Sequence, residues 1–281
     1  MPSASEQYLE LPTSKSPGLL ANKGSKLAVI CTHPWGPLGG NLHNNVVSAV
    51  VLYFQKINVS TLRFDFSGSQ ISRGIQQVTQ VEEAAKYLYS LPEGAPQYIL
   101  LIGYSYGSLI AGSATANIYN VVGSISIAPP FAVKHWLLMF NSNYHIKQAQ
   151  KQTALPRLMI LGTNDNFTNE ESFQAMLQTY PTGSTTGALL KGADHFFHRR
   201  EKDLMDIIGQ WIFQTYRVSS LLELSSMEFV PSGVDFRVTV SEDKPVADQY
   251  GCGALASTVW LGWDTCKKST RVNNFVLIVS I

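Results

Sequence analysis

Five short runs rich in Val, Ile and Leu recur along the first three quarters of the chain: Leu27 to Thr32, Val59 to Phe64, Tyr98 to Gly103, Val121 to Ala128 and Arg157 to Gly162. Short apolar runs of this kind predict strands covered on both faces. Between them the spacing becomes helical. Val46, Val47, Val50, Val51 and Phe54 fall on one helix face, as do Val78, Val81, Ala84, Ala85 and Leu88, and later Leu204, Ile207, Ile208, Trp211 and Ile212. Strand alternating with helix requires crossover connections. The predicted fold class is therefore α/β, a mostly parallel central sheet with helices on both faces.

Two stretches depart from this rhythm. Residues 129 to 152 carry Pro129-Pro130 and then Trp136-Leu137-Leu138-Met139-Phe140; they are read either as a small lid over a site or as a helix packed on the sheet. After Arg217 the texture changes. Val234, Phe236, Val238 and Val240 alternate with polar residues, predicting one strand, and beyond Asp243 no period is visible. The expected organisation is a domain over residues 1 to 217, with a lid candidate at 129 to 152, and a C-terminal extension of unknown role over 218 to 281. That extension is read as an extra β element, a partner-binding tail or a poorly ordered segment.

Composition narrows the class of function. Of 281 residues, 45% are hydrophobic and 15% charged, and the net charge is +1. Without a block of Lys and Arg, the chain lacks the electrostatic footprint of a nucleic-acid or anionic-membrane binder. Cys31, Cys252 and Cys266 are an odd number in a chain too long to depend on disulfides, which points to a reducing compartment. No stretch approaches the ~20 apolar residues of a membrane span, and the polar, proline-dotted start lacks the pattern of a secretory signal. A cytoplasmic protein is expected.

The sharpest local signal is Gly103-Tyr104-Ser105-Tyr106-Gly107, a G-x-S-x-G motif. The strand Tyr98 to Ile102 runs into it, and Leu109, Ile110, Ala111 and Ala114 follow at helical spacing. A strand turning sharply into a helix crowds the backbone around the serine, so glycine is needed on both sides. Ser105 Oγ would then project beyond the sheet at the helix N-terminus. The plainer alternative is a serine that merely caps the helix.

A serine hydroxyl attacks poorly until a base takes its proton, and the base needs an orienting carboxylate. Leu158 to Gly162 reads as a strand that ends in Thr163-Asn164-Asp165, which puts Asp165 on the loop beyond it. Gly192-Ala193-Asp194-His195-Phe196-Phe197 puts His195 on a loop before the last helix. Asp165 could equally be a helix cap before Phe167 and Thr168. Asp194, adjacent to His195, is poorly placed to turn back to Nδ1 and is read as structural. His43, His135, His145 and His198 lack such a context.

Acyl transfer also needs donors for a developing oxyanion. The Tyr106 N–H, just after the serine, is one candidate. The loop His33-Pro34-Trp35-Gly36-Pro37-Leu38-Gly39-Gly40 after the first strong strand supplies the other. Pro34 and Pro37 cannot donate. The backbone N–H of Trp35 is the choice by position, with Gly36 next, and His33 is expected to brace the loop.

These segments resemble the α/β-hydrolase superfamily over residues 25 to 217, and within it a dienelactone-hydrolase-like branch with an H-P-H-P-x-x-G-G loop. The resemblance rests on His33-Pro34 with Gly39-Gly40, Asn45-Val46-Val47, Arg63-Phe64 with Phe66 and Gly68, the G-x-S-x-G motif, and Gly192 to Phe197. Ser105, Asp165 and His195 follow the superfamily order of nucleophile, acid and histidine. The sequence departs at Trp35-Gly36, where the branch has its second His-Pro, and at Ser67 and Gln70, where it has Arg and Gly. Its elbow also holds serine where dienelactone hydrolase holds cysteine. The resemblance implies a metal-independent, cofactor-free serine hydrolase acting on a small-molecule carboxylic ester or thioester. Trp35, Tyr104 and Trp136 are the expected substrate-binding aromatics. A serine peptidase or amidase and a non-catalytic binding scaffold are the alternatives. The sequence does not determine the oligomeric state.

Overall fold

Apolar runs become buried strands here because each is covered from both sides by amphipathic helices. In the computed structural model, residues 6–68, 73–138, 141–218, 220–229 and 276–279 are described. The five expected strands are β3 (Leu27–Thr32), β4 (Ser60–Phe64), β5 (Tyr98–Tyr104), β6 (Val121–Ile127) and β7 (Arg157–Gly162). Every residue of β3, β4 and β7 is buried. Cys31 lies inside β3, where burial pushes its thiol up to about 12, away from thiolate chemistry.

The helices α1 (Asn45–Lys56) and α7 (Glu201–Tyr216) cover one face. The other face carries α2 (Ile75–Tyr89), α3 (Tyr106–Ala114), α5 (Ser142–Gln150) and α6 (Glu170–Leu177). The apolar positions picked out by helical spacing in α1, α2 and α7 are all buried. α1 starts where Asn44 Oδ1 accepts the Val46 N–H at 3.1 Å, which satisfies one of the donors that a helix leaves open at its start.

Four strands lie outside the runs read from the sequence. β1 (Gln7–Glu10) and β2 (Pro17–Ala21) form an antiparallel edge against β4. β8 (Thr185–Leu190) and β9 (Val276–Val279) extend the other side in parallel. The sheet order is β1-β2-β4-β3-β5-β6-β7-β8-β9. β2 and β8 escape a period-based reading because they are short and interrupted by Pro17 and Gly18 or by Gly187, and β1 and β9 because four residues show no period. Tertiary contacts hold them instead. Leu19, Leu20 and Ala21 are buried, and just ahead of β1 the Glu6 carboxylate takes a two-pronged grip from the buried Arg63 guanidinium at 3.0 and 2.8 Å.

β3 pairs with β4 on one side and β5 on the other, so the chain reverses its direction of winding there. In such sheets the crevice at the carboxyl ends of the strands flanking the reversal is where ligands gather. The 33–40 loop leaves β3 at that end, and Ser105 follows β5 there.

The 129–152 stretch divides into two behaviours. α5 packs on α3, with Ile146 and Ala149 in the core. Its C-terminal end is held by buried Arg157, which donates to the carbonyls of Ala149, Gln152 and Leu155 at 2.7 to 3.2 Å. The short α4 (Lys134–Leu137) instead carries Trp136, which is 65% exposed.

The expected boundary at 217 falls inside the packed body. Val218, Leu224 and Phe229 are buried in the same core as α1 and α7. The Lys26 N–H donates to the Ser225 carbonyl at 2.7 Å, and the Tyr98 hydroxyl donates to Glu228 at 2.8 Å. The strand expected at Val234 to Val240, like Cys252 and Cys266, lies outside the described residues. Among the described residues no helix is long and apolar enough to cross a membrane.

Candidate functional site

Ser105 occupies the bend between β5 and α3 with φ 54° and ψ −123°, a conformation that an L-residue holds only when its surroundings enforce it. The enforcement is visible in two glycines. A Cβ on Gly103 would sit 2.4 Å from the Gly107 carbonyl oxygen, and one on Gly107 would sit 2.6 Å from that of His33. The first contact makes the bend tight. The second lets the β3 loop lie directly against the start of α3. Thr32 Oγ1 adds a hydrogen bond to the Gly107 carbonyl at 3.0 Å.

Three side chains named from the sequence meet at this bend. His195 Nε2 lies 2.9 Å from Ser105 Oγ, and His195 Nδ1 lies 2.7 Å from Asp165 Oδ2. With Nδ1–H donating to the carboxylate, Nε2 is the lone-pair nitrogen that accepts from the serine hydroxyl. The Asp165 side chain is fully buried, and a buried carboxylate needs every strong acceptor site occupied. Its second oxygen, Oδ1, accepts the N–H groups of Phe167 and Thr168 at 2.7 and 3.0 Å. The capping and histidine-orienting readings of Asp165 therefore describe its two oxygens. Asp194 is elsewhere engaged: its Oδ1 accepts the Phe196 N–H at 3.0 Å.

The Tyr106 N–H opens α3, where helix geometry gives the first donors no intrahelical acceptor and the dipole favours negative charge. Trp35 heads a 3-10 turn over Gly36–Leu38, its carbonyl accepting from Leu38 and Gly40. His33 braces that loop. Its Nε2 accepts the Phe66 N–H at 2.8 Å, while Nδ1 sits 2.5 Å from the Pro34 carbonyl. Burial lowers the His33 pKa below the usual value, so the neutral ring with Nδ1–H donating is the form that fits both bonds.

Of the aromatics expected to touch substrate, Trp35 and Trp136 come together, edge to face, with centroids 4.9 Å apart. Tyr104 does not join them. It is 1% exposed and packs in the core shared with α1 and α7, because the last residue of a central strand points into the layer beneath the site. Its hydroxyl instead donates to the His195 carbonyl at 2.9 Å.

Two neighbours escaped the sequence reading. The Phe167 ring lies 4.4 Å from the His195 ring, and Thr168 Oγ1 donates to the Pro129 carbonyl at 2.8 Å, tying the acid loop to the root of the 129–152 stretch. The Asp-x-Phe-Thr spacing signals the turn that places both, but nothing local announces the contact with histidine. His43, His135 and His198 are exposed, and His145 is buried between Ser113 and the Arg73 carbonyl. Among the described residues no group of three or more His, Cys, Asp and Glu side chains is arranged to hold a metal.

Residues 58–206, more than half the chain, match the model of a family described as serine hydrolase (FSH1). No curated protein matches. Among solved structures, an α/β serine hydrolase homologue from Coxiella burnetii is 21% identical with a TM-score of 0.59, covering 74% of this chain and 97% of its own. An α/β serine hydrolase without a lid from Xanthomonas campestris is 19% identical with a TM-score of 0.61, covering 78% and 98%. An esterase from Pyrococcus furiosus is 16% identical with a TM-score of 0.61, covering 74% and 91%. At these identities the likeness establishes the α/β-hydrolase fold.

Proposed function

The chain belongs to the serine hydrolase (FSH1) family, and on that premise we propose that it cleaves a small-molecule carboxylic ester or thioester through an acyl-enzyme intermediate. The observation that supports this reading is the continuous relay from Ser105 Oγ to His195 Nε2 at 2.9 Å and from Nδ1 to Asp165 Oδ2 at 2.7 Å. Ser105 Oγ bonds to the acyl carbon as its proton passes to Nε2. Collapse of the tetrahedral intermediate breaks the bond to the alcohol or thiol, which leaves with that proton. Water then attacks the acyl-serine, giving its proton to Nε2, and collapse returns the proton to Ser105 as the acid departs. Throughout, Asp165 holds the tautomer with the lone pair on Nε2 and stabilises the transient imidazolium.

The oxyanion is assigned to the N–H groups of Tyr106 and Trp35, each such donor contributing about 2.7–4 kcal/mol to the transition state. The closeness of Gly107 to the His33 carbonyl keeps the two donor segments adjacent. Trp35, with Trp136 on α4 as a small lid, would pack the apolar part of the substrate.

A panel of p-nitrophenyl esters, acyl thioesters and anilides tests the reading. Turnover of esters or thioesters ahead of anilides, with stoichiometric fluorophosphonate labelling of Ser105, is expected; anilides cleaved faster than esters would assign the chemistry to an amidase instead. Removing one aromatic face should cost about 0.5–1.5 kcal/mol of binding. Trp136→Ala is therefore expected to raise KM for medium-chain or aromatic acyl esters about threefold to tenfold and leave acetyl esters nearly unchanged. Equal KM changes for both substrates would remove Trp136 from the acyl-binding surface.

A further inference from the structure

His195 lies on the loop between β8 and α7, and a ring held only by Asp165 at Nδ1 could still swing away with its own backbone. The backbone is restrained by an unexpected partner. Tyr104, the residue bonded directly to Ser105, donates its hydroxyl to the His195 carbonyl at 2.9 Å, across 91 positions of sequence. Its ring lies 5.7 Å from the imidazole at an interplanar angle of 33°, with Phe167 at 4.4 Å and Phe196 at 5.6 Å completing the surround. Burial first, and then the charges of Asp165 and Asp194, push the Tyr104 pKa above the ordinary tyrosine value. The hydroxyl therefore remains a proton donor wherever the enzyme works.

We propose that Tyr104 is a positioning residue. Its hydroxyl ties the loop carrying His195 to the strand carrying Ser105, so that Nε2 and Oγ keep their separation as the proton moves between them. This rests on reading Ser105 as nucleophile and His195 as base. Other bonds hold the flanks of this loop, from Asn164 to the Ala193 carbonyl and from Asn45 to the Phe196 carbonyl, both at 2.9 Å, but the Tyr104 bond couples the backbone of the base to the residue next to the nucleophile. Proton transfer tolerates little misplacement: an ångström of error can cost about a hundredfold in rate. One hydroxyl-to-carbonyl bond is a small part of what holds the fold together, so its loss should be read in the rate rather than in the fold.

Tyr104→Phe removes the hydroxyl and keeps the ring. Tyr89→Phe is its control, because Tyr89 also donates to a backbone carbonyl, that of Tyr119 at 2.6 Å, on α2 away from the site. In Tyr104→Phe, with an unchanged far-UV CD spectrum, kcat is expected to fall roughly tenfold to a hundredfold while KM stays within about twofold. The fluorophosphonate labelling rate should fall in step, and the downfield proton resonance of the His195 Nδ1–H should broaden. Tyr89→Phe should match the unsubstituted protein in all four readouts. A Tyr104→Phe kcat within about twofold of the unsubstituted enzyme, an equal loss in Tyr89→Phe, or failure of Tyr104→Phe to fold at 10 °C would each overturn the positioning role. Absence of Ser105 labelling in the unsubstituted protein would instead overturn the reading of the site on which the proposal stands.

Discussion

Ser105→Ala is expected to lower kcat for any ester substrate by about a millionfold, leaving only the residual rate that binding and oxyanion donors sustain. Labelling by a fluorophosphonate probe should disappear with it. The fold should not change, because alanine keeps the Cβ that serine already accommodates at φ 54°. Ser105→Gly separates chemistry from strain. It is equally inactive by this reasoning, yet it releases a backbone conformation that costs an L-residue on the order of 1–3 kcal/mol. After about 0.5–1 kcal/mol for the added freedom of glycine in the unfolded chain, it should melt at or above the temperature of Ser105→Ala. Thermal melts and intact-mass analysis of probe-treated protein read both effects. Undiminished labelling of Ser105→Ala would remove this serine from the role of nucleophile.

Asp165→Asn is expected to lower kcat by about ten-thousandfold with little change in KM. The two oxygens of Asp165 make this substitution decisive between its two possible roles. An asparagine Oδ1 can still accept the N–H groups of Phe167 and Thr168, now at 2.7 and 3.0 Å, and asparagine caps about as well as aspartate. A residue that served only the turn would therefore tolerate the change. The other position becomes an NH2 group facing His195 Nδ1, where two donors cannot share a bond, so the ring is driven toward the tautomer with its proton on Nε2. That form cannot accept from Ser105. Steady-state kinetics together with a melting curve decide the matter: an active, stable Asp165→Asn would reduce Asp165 to a turn residue.

Much of the architecture follows from local chemistry that a sequence displays. β3 and β7 are buried at every position, so their mostly apolar runs are the direct imprint of two covering layers. The faces of α1, α2 and α7 are legible for the same reason, since a helix that packs on one side must repeat its apolar residues at its own period. β1, β2 and β8 were not legible. They are edge or near-edge strands, β1 only four residues long and β2 and β8 carrying glycine or proline, and partners distant in sequence settle their pairing. The 129–152 stretch was legible only as an ambiguity, because a short apolar run does not reveal which of its residues find a neighbour. Its α5 packs on α3, while Trp136 on α4 stays open and meets Trp35.

The candidate site divides along the same line. Gly103, Ser105 and Gly107 could be picked out from sequence because a sharp strand-to-helix bend excludes side chains within a span of five residues. Asp165 and His195 could be nominated by their places after strands, although Asp165 had a capping alternative that no local pattern could weigh. Only tertiary structure brings histidine to serine across 90 positions and to aspartate across 30. It also moved Tyr104 from the expected entrance into the layer below, where its hydroxyl reaches the His195 backbone. The chain by itself determined which segments are strands and helices and where a bend must lie, since those depend on steric and solvation rules acting over a few residues. The placing of one side chain against another was decided by the packing of loops from separate strands, a property of the whole sheet that no short window contains.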